Sequence, residues 1–323
     1  MQFSYRQHLL KGSYQTGLLL IILKVSILVF CCAFIWIKVQ ENQITINAIL
    51  ATIDGLDLVS FSGLLFIVLL MPLNWSLEAL KWKFLIQPFS RISVKDSLKA
   101  VFSGLALGFA TPRSIGDYFG RVIFLSSKDR VKAIVPTVIS RVSQLVPTLI
   151  LGTFGVFFLL SKVPHVMNLV AWSLILLVGI VLVVGMNTLN IKGLSFIDRF
   201  LGKLRIQYRF NDLVRVLIMS FGRYFVFSLQ FVLALIIMNV ELSLMLLFAG
   251  VSWIFLAKSI LPSFNFLSDL GIREFSAIVF FEAYGLSLEP VLMASILIWT
   301  INILFPAIFG VLIIGKSKFD LWK

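Results

Sequence analysis

A chain of 323 residues that is 59% hydrophobic, with mean hydropathy +1.02 and 13% charged residues, has about half the charge a water-soluble globule carries, so a soluble domain is excluded. Its net charge of +13, from 28 Lys+Arg against 15 Asp+Glu, would suggest nucleic acid in a soluble protein. Here the larger part follows the Lys/Arg bias of cytoplasmic loops, and no nucleic-acid partner is expected.

Apolar runs recur that are long enough to cross roughly 30 Å of hydrocarbon, and unpaired backbone in lipid forces them to be helices. The expected fold class is therefore all-α: a polytopic transmembrane helix bundle, one integral membrane domain over residues 1–323. The first run, Leu18–Ile37, follows Arg6 and Lys11. It is too long for a signal peptide and lacks a small-residue cleavage site, so it reads as a retained helix with Lys24 snorkelling at its end. Cys31 and Cys32 are adjacent within it and suit neither a disulfide framework nor a metal site.

The next span is Leu58–Leu73, followed by a basic loop over residues 78–99 containing Glu78, Lys81 and Lys83. Ser97–Ser126 is apolar but breaks at Thr111-Pro112, leaving each arm too short for a comfortable crossing. It reads as a re-entrant pair of half-helices, with basic flanks placing both ends on the cytoplasmic side. Ala133–Leu160 and Val166–Met186 are the following spans, and Asn190–Arg215 is a basic cytoplasmic linker with an amphipathic helix. Val216–Val240 is a further span. Leu242–Tyr284 breaks between Leu261-Pro262 and Gly271 as a second re-entrant hairpin, and Val291–Ile314 is the last span.

The order span, span, hairpin, span occurs twice with opposite orientation. This predicts an inverted repeat of halves near 18–160 and 166–314, with both termini cytoplasmic in the cell (inner or plasma) membrane. Paired interrupted segments in two inverted halves point to a transport site near the midplane.

Charges inside apolar segments are the candidate site residues, since each costs on the order of 2.5–3.5 kcal/mol at the membrane centre and usually faces a cavity or a partner. In the first break, Thr111 can cap a helix and Pro112 suits its first position, so a half-helix would present free N–H groups to an anion. Arg113, Asp117 and Arg121 follow at four-residue spacing, with Gly116 between them. Two arginines against one carboxylate suit a phosphate; a structural ion-pair ladder is the alternative. In the second break, Pro262 and Gly271 are hinge candidates, and Arg273 and Glu274 point about 100° apart on a helix. Glu282 lies two turns on. Arg141, Arg223 and Lys258 are further intramembrane charges, with snorkelling the alternative for Arg141 and Arg223.

Several of these segments together resemble the transmembrane region of the lysylphosphatidylglycerol synthase/flippase family. They are Asn74-Trp75 through Lys81-Trp82, Thr111-Pro112 with Gly116-Asp117 and Arg121, Arg141, and Leu261-Pro262 with Leu270-Gly271-Ile272-Arg273-Glu274 and Gly285-Leu286-Ser287. The resemblance covers nearly the whole chain and implies a lipid-translocating module with two re-entrant helices. It departs at Ser140, where the family often has an acid, and at Asp269, where a glycine is usual. The sequence ends at Lys323 without the soluble aminoacyl-transferring domain of full-length synthases, so synthase activity is not expected.

The function expected is translocation of an anionic or aminoacylated phospholipid headgroup through a cationic site formed by Arg113, Arg121, Arg141 and Arg273, with Asp117, Glu274 and Glu282 balancing charge. Two alternatives are carriage of a polyprenyl-phosphate-linked glycan and a membrane-embedded transferase on lipid-linked substrates; a third is a regulator that transports nothing. No P-loop motif occurs and no metal or cofactor is expected. Membrane lipid is the expected partner, with a homo-oligomer or a separate lipid-synthesising enzyme as further candidates.

Overall fold

The computed structural model describes residues 57–111, 115–162, 208–261 and 266–316, together with the single positions 29, 33, 36, 37 and 40. The expected spans Leu18–Ile37 and Val166–Met186 lie outside the described residues apart from four of those positions, as do Arg113, Pro112, Pro262 and most of the 190–215 linker. The described chain is helical: α1 (Leu58–Ile86), α2 (Val94–Ala110), α3 (Ile115–Val122), the single turn α4 (Ser127–Arg130), α5 (Ile134–Leu160), α6 (Phe210–Ile237), α7 (Leu244–Ile260), α8 (Phe266–Ala283), α9 (Leu288–Trp299), a π segment (Thr300–Leu304) and α10 (Phe305–Lys316). Four helical stretches are long and apolar enough to cross a membrane: Ser60–Ile86, Ile134–Leu160, Phe210–Ile237 and Leu288–Lys316.

Local chemistry sets several ends. Asp57 caps α1 by accepting from the Ser60 N–H at 2.8 Å, and Ser93 caps α2 through the Asp96 N–H at 3.0 Å. α2 stops at Thr111, whose hydroxyl donates to the Leu107 carbonyl and accepts from the Gly116 N–H, both at 2.7 Å, tying the two arms of the first hairpin together.

Those arms run antiparallel with backbones nearly touching. A Cβ on Gly116 would come within 2.1 Å of the Leu107 carbonyl oxygen, and one on Gly120 within 2.3 Å of the Ser103 oxygen. Gly104-x-x-x-Gly108 on α2 thus faces Gly116-x-x-x-Gly120 on α3. In an apolar solvent, where burial drives helix pairing little, small residues permit this close packing. α7 and α8 pair antiparallel as well: Gly250 lies against Phe280 and Phe281, and Trp253 Nε1 donates to the Ser276 carbonyl at 2.9 Å.

The helices then exchange partners. α1 packs along α6, α2 against α10, and α5 against α7. Glycine again carries the last two contacts: a Cβ on Gly310 would meet the Phe102 oxygen at 2.0 Å, and one on Gly155 the Ala249 oxygen at 2.5 Å. The largest apolar core joins α6, α7, α8 and α9 around Phe231, Phe255, Phe280 and Phe281; a smaller one joins α1, α2 and α3 around Trp75 and Trp82.

Three departures from the sequence-based boundaries bear on the polar residues and the hinges. α1 does not end at Leu73 but continues to Ile86, so Glu78, Lys81 and Lys83 are helical rather than loop residues. Hydropathy falls where charge appears, but Glu78 and Lys81 neutralise one another at i, i+3 spacing and the helix carries both into the bundle. Phe210–Arg215, expected in the linker, form the first turns of α6. Gly271, expected in the second hairpin's turn, lies buried within α8, which already begins at Phe266.

Candidate functional site

Glu78 organises the polar interior. Its side chain is 4% exposed and each oxygen takes two donors. Oε1 accepts from Arg121 Nη2 on α3 at 3.0 Å and from the Ser140 hydroxyl on α5 at 3.1 Å. Oε2 accepts from Lys81 Nζ at 2.9 Å and from Arg223 Nη1 on α6 at 3.1 Å. A carboxylate has about four acceptor sites, so Glu78 is saturated.

The cations are held in turn. Lys81 donates also to the Ser140 carbonyl, Gln144 Oε1 and the Ser220 hydroxyl, at 3.3 to 3.4 Å. Arg223 donates through Nε to Asn74 Oδ1 at 3.1 Å and lies 4.9 Å from the Trp75 ring centroid. Arg121 lies 5.3 Å from the Trp82 ring, in reach of a cation–π attraction. Its Nε bonds Asp117 Oδ1 at 2.8 Å, one turn back on α3, while its buried Nη1 has no hydrogen-bond partner among the described residues. Asp117 Oδ2 accepts from Arg141 Nη2 on α5 at 3.1 Å. Arg141 is 49% exposed, so charge runs from a half-exposed arginine to a buried cluster.

A proline on α10 completes the frame. The helical partner of the Asn302 carbonyl would be the N–H of residue 306, but Pro306 has none. The chain passes through the π segment just before it, and Asn302 O accepts from Trp75 Nε1 at 3.1 Å. The Asn302 side-chain oxygen accepts from Asn74 Nδ2 at 3.2 Å. Asn302 thereby orients the two residues that hold Arg223.

Beside this network is a cavity of about 250 Å³ whose lining includes Glu78, Arg121, Arg141 and Arg223. Ser140, Gln144, Leu145, Thr148 and Ser259 complete the described lining. The six ionisable residues Lys81, Arg121, Arg141, Arg223, Glu78 and Asp117 comprise four cations and two carboxylates. The described residues hold no cluster of His, Cys, Asp and Glu suited to a metal ion.

Of the residues anticipated from sequence, Asp117, Arg121 and Arg141 meet here. Arg113 lies outside the described residues, as do Pro112 and Pro262. Arg273 and Glu274 are buried in α8 and do not line the cavity; Glu274 Oε1 accepts from the Ser295 hydroxyl on α9 at 2.8 Å. Glu282 is exposed near the end of α8. Arg223 is turned into the bundle toward Glu78 and does not snorkel. Lys258 lies on α7 outside the described lining.

Glu78, Lys81, Gln144 and Asn302 were not anticipated as site residues. A signal for the first two was present in the i, i+3 pair lying between Trp75 and Trp82, since aromatic flanks on both sides of a charge pair indicate a buried helix face.

No curated protein matches the chain. The family model described as "Lysylphosphatidylglycerol synthase TM region" matches residues 21–310, which include every described helix except the end of α10. The protein is thus an integral membrane protein tied to membrane lipid, and it belongs to the lysylphosphatidylglycerol synthase transmembrane-region family.

Proposed function

We propose that this protein moves an anionic phospholipid headgroup across the bilayer, without chemical change, through the cavity between α1, α3, α5 and α6. The observation that carries this reading is the convergence of Arg121, Arg141 and Arg223 on one cavity inside a bundle of apolar helices. Guanidinium groups bind phosphate oxygens through paired, charge-assisted donors. A half-exposed arginine leading to buried ones offers a phosphate a graded path. Arg141 takes the phosphate first as Asp117 releases it, because an ion pair so exposed is worth only about 0–1 kcal/mol. The Glu78 cluster stays closed and serves as the fixed wall.

The two hairpins, α2–α3 and α7–α8, are proposed as re-entrant arms of two inverted halves. Support comes from the exchange of partners: the last helix of each half, α5 or α10, packs against the first hairpin arm of the other, while α1 and α6 pair with each other. A two-fold axis in the membrane plane would generate such reciprocity, and transporters with alternating access are built on it. Basic residues at the N-terminus and after the last span support cytoplasmic termini.

The test is a reconstituted vesicle assay with fluorescent-headgroup phospholipid and a membrane-impermeant quencher. Wild-type protein should expose the inner-leaflet label to the quencher with no new lipid on chromatography. A rate equal to protein-free vesicles rejects translocation, and a new lipid species rejects transport in favour of a transferase.

A further inference from the structure

We propose that Glu274 is a proton-binding site, and that its proton couples headgroup movement to a pH gradient. The proton site stands on the geometry of α8 and α9; the coupling rests on the translocation reading.

Two glutamates are buried to a similar degree in this bundle, Glu78 at 3% exposure and Glu274 at 5%. Their partners differ. Glu78 collects four donors, three of them from cations. Glu274 has one, the neutral Ser295 hydroxyl 2.8 Å from Oε1, and its buried Oε2 has no hydrogen-bond partner. The charged residues on α8 and on the two helices packed against it are Asp269, Arg273 and Glu282 on α8, Lys258 on α7 and Glu289 on α9; the Asp269 side chain lies outside the described residues. Arg273 acts on Glu274 through space, but helix neighbours point about 100° apart and no hydrogen bond joins the two.

A carboxylate offers about four acceptor sites, so an ionised Glu274 would leave most of them empty in a buried position. A buried acid placed in this way takes up a proton instead of holding its charge. The neutral form fits the site: a proton on Oε1 can donate to Ser295 Oγ along the same 2.8 Å contact.

Ser295 also ties this carboxyl to the transport site. Roughly two turns further along the same span, Asn302 accepts from Asn74 at 3.2 Å, and Asn74 accepts from Arg223 at 3.1 Å. Movement of the last span as Glu274 gains or loses its proton therefore reaches an arginine of the cavity. The proton comes from water on one side of the membrane and returns to water on the other, and the cycle consumes nothing else.

The experiment uses the full-length protein in vesicles. At neutral pH the infrared spectrum of the wild type should contain the C=O stretch of a buried carboxylic acid that Glu274→Gln lacks. The variant, a near-isostere of the neutral acid, should melt with the wild type. An imposed pH gradient should change wild-type transport of fluorescent-headgroup phospholipid several-fold, whereas any residual rate of Glu274→Gln should be the same with and without it. Absence of that infrared band, or a variant that fails to fold or melts far below the wild type, overturns the proton site. A wild-type rate indifferent to the gradient, or a variant that keeps the response, overturns the coupling. No wild-type transport under any gradient overturns the translocation reading, and the infrared band then still decides the proton site.

Discussion

Arg223 on α6 places Nη1 3.1 Å from Glu78 Oε2 on α1, across 145 residues of chain, and this contact closes the polar interior of the bundle. Each side chain alone would be a costly charge in an apolar setting. Together with Lys81, Arg121 and Ser140 they form a cluster in which every donor meets around the saturated Glu78 carboxylate. Because the cluster spans α1, α3, α5 and α6, it holds the cavity wall at one geometry.

Removing the central carboxylate should therefore be severe. Glu78→Gln leaves Lys81, Arg121 and Arg223 without their common counter-charge and should cost about 3–5 kcal/mol. Thermal unfolding in detergent reads this as a large fall in Tm. A variant that melts with the wild type would show that the cluster does not support the fold.

Arg141 should separate stability from function. Its pair with Asp117 is half-exposed, so Arg141→Gln should change stability by no more than about 1 kcal/mol. Headgroup transport should nonetheless drop at least about tenfold, equivalent to about 1.4 kcal/mol. Retained transport at wild-type rate would remove Arg141 from the site.

Two glycines of α10 offer a matched test of the exchange packing. A Cβ on Gly310 would sit 2.0 Å from the Phe102 oxygen, whereas one on Gly315 meets nothing within 4 Å. Gly310→Ala should destabilise by about 1–3 kcal/mol through forced separation of α2 and α10. Gly315→Ala should be neutral or slightly stabilising, since alanine favours helix. Equal melting of the two variants would mean that α10 does not pack on α2 this closely.

Trp75 Nε1 donates to the Asn302 carbonyl, and the residue four positions on, Pro306, has no N–H to compete for it. Trp75→Phe should cost about 0.5–1.5 kcal/mol for the lost bond, beyond any change in packing. Pro306→Ala restores a backbone donor four residues from Asn302, so adding it to Trp75→Phe should recover part of that loss. A double-mutant cycle measures the coupling, and simple additivity would show the two are unrelated.

Much of the fold can be read directly from the chain. Low charge and recurrent apolar runs require a membrane helix bundle, and the breaks after Ala110 and Ile260 fall where Thr111-Pro112 and Leu261-Pro262 interrupt the pattern. Asp117, Arg121 and Arg141 were identifiable because intramembrane charge is costly anywhere, whatever the fold. Glu78 and Lys81 were misplaced in a loop because a hydropathy window counts charges singly and cannot register that a carboxylate meets three cations. Gly271 suits either a turn or a close helix approach, and only its neighbours, which hold it within α8, decide between them.

What the sequence alone determines is therefore the solvent this protein folds in and where its helices break, since both follow from local hydrophobicity and backbone chemistry. Which charges neutralise one another is decided only by tertiary structure. Glu78, Asp117, Arg141 and Arg223 come from four different helices, and the strength of their attraction depends on separations that nothing local specifies. The cavity exists only once those helices have packed.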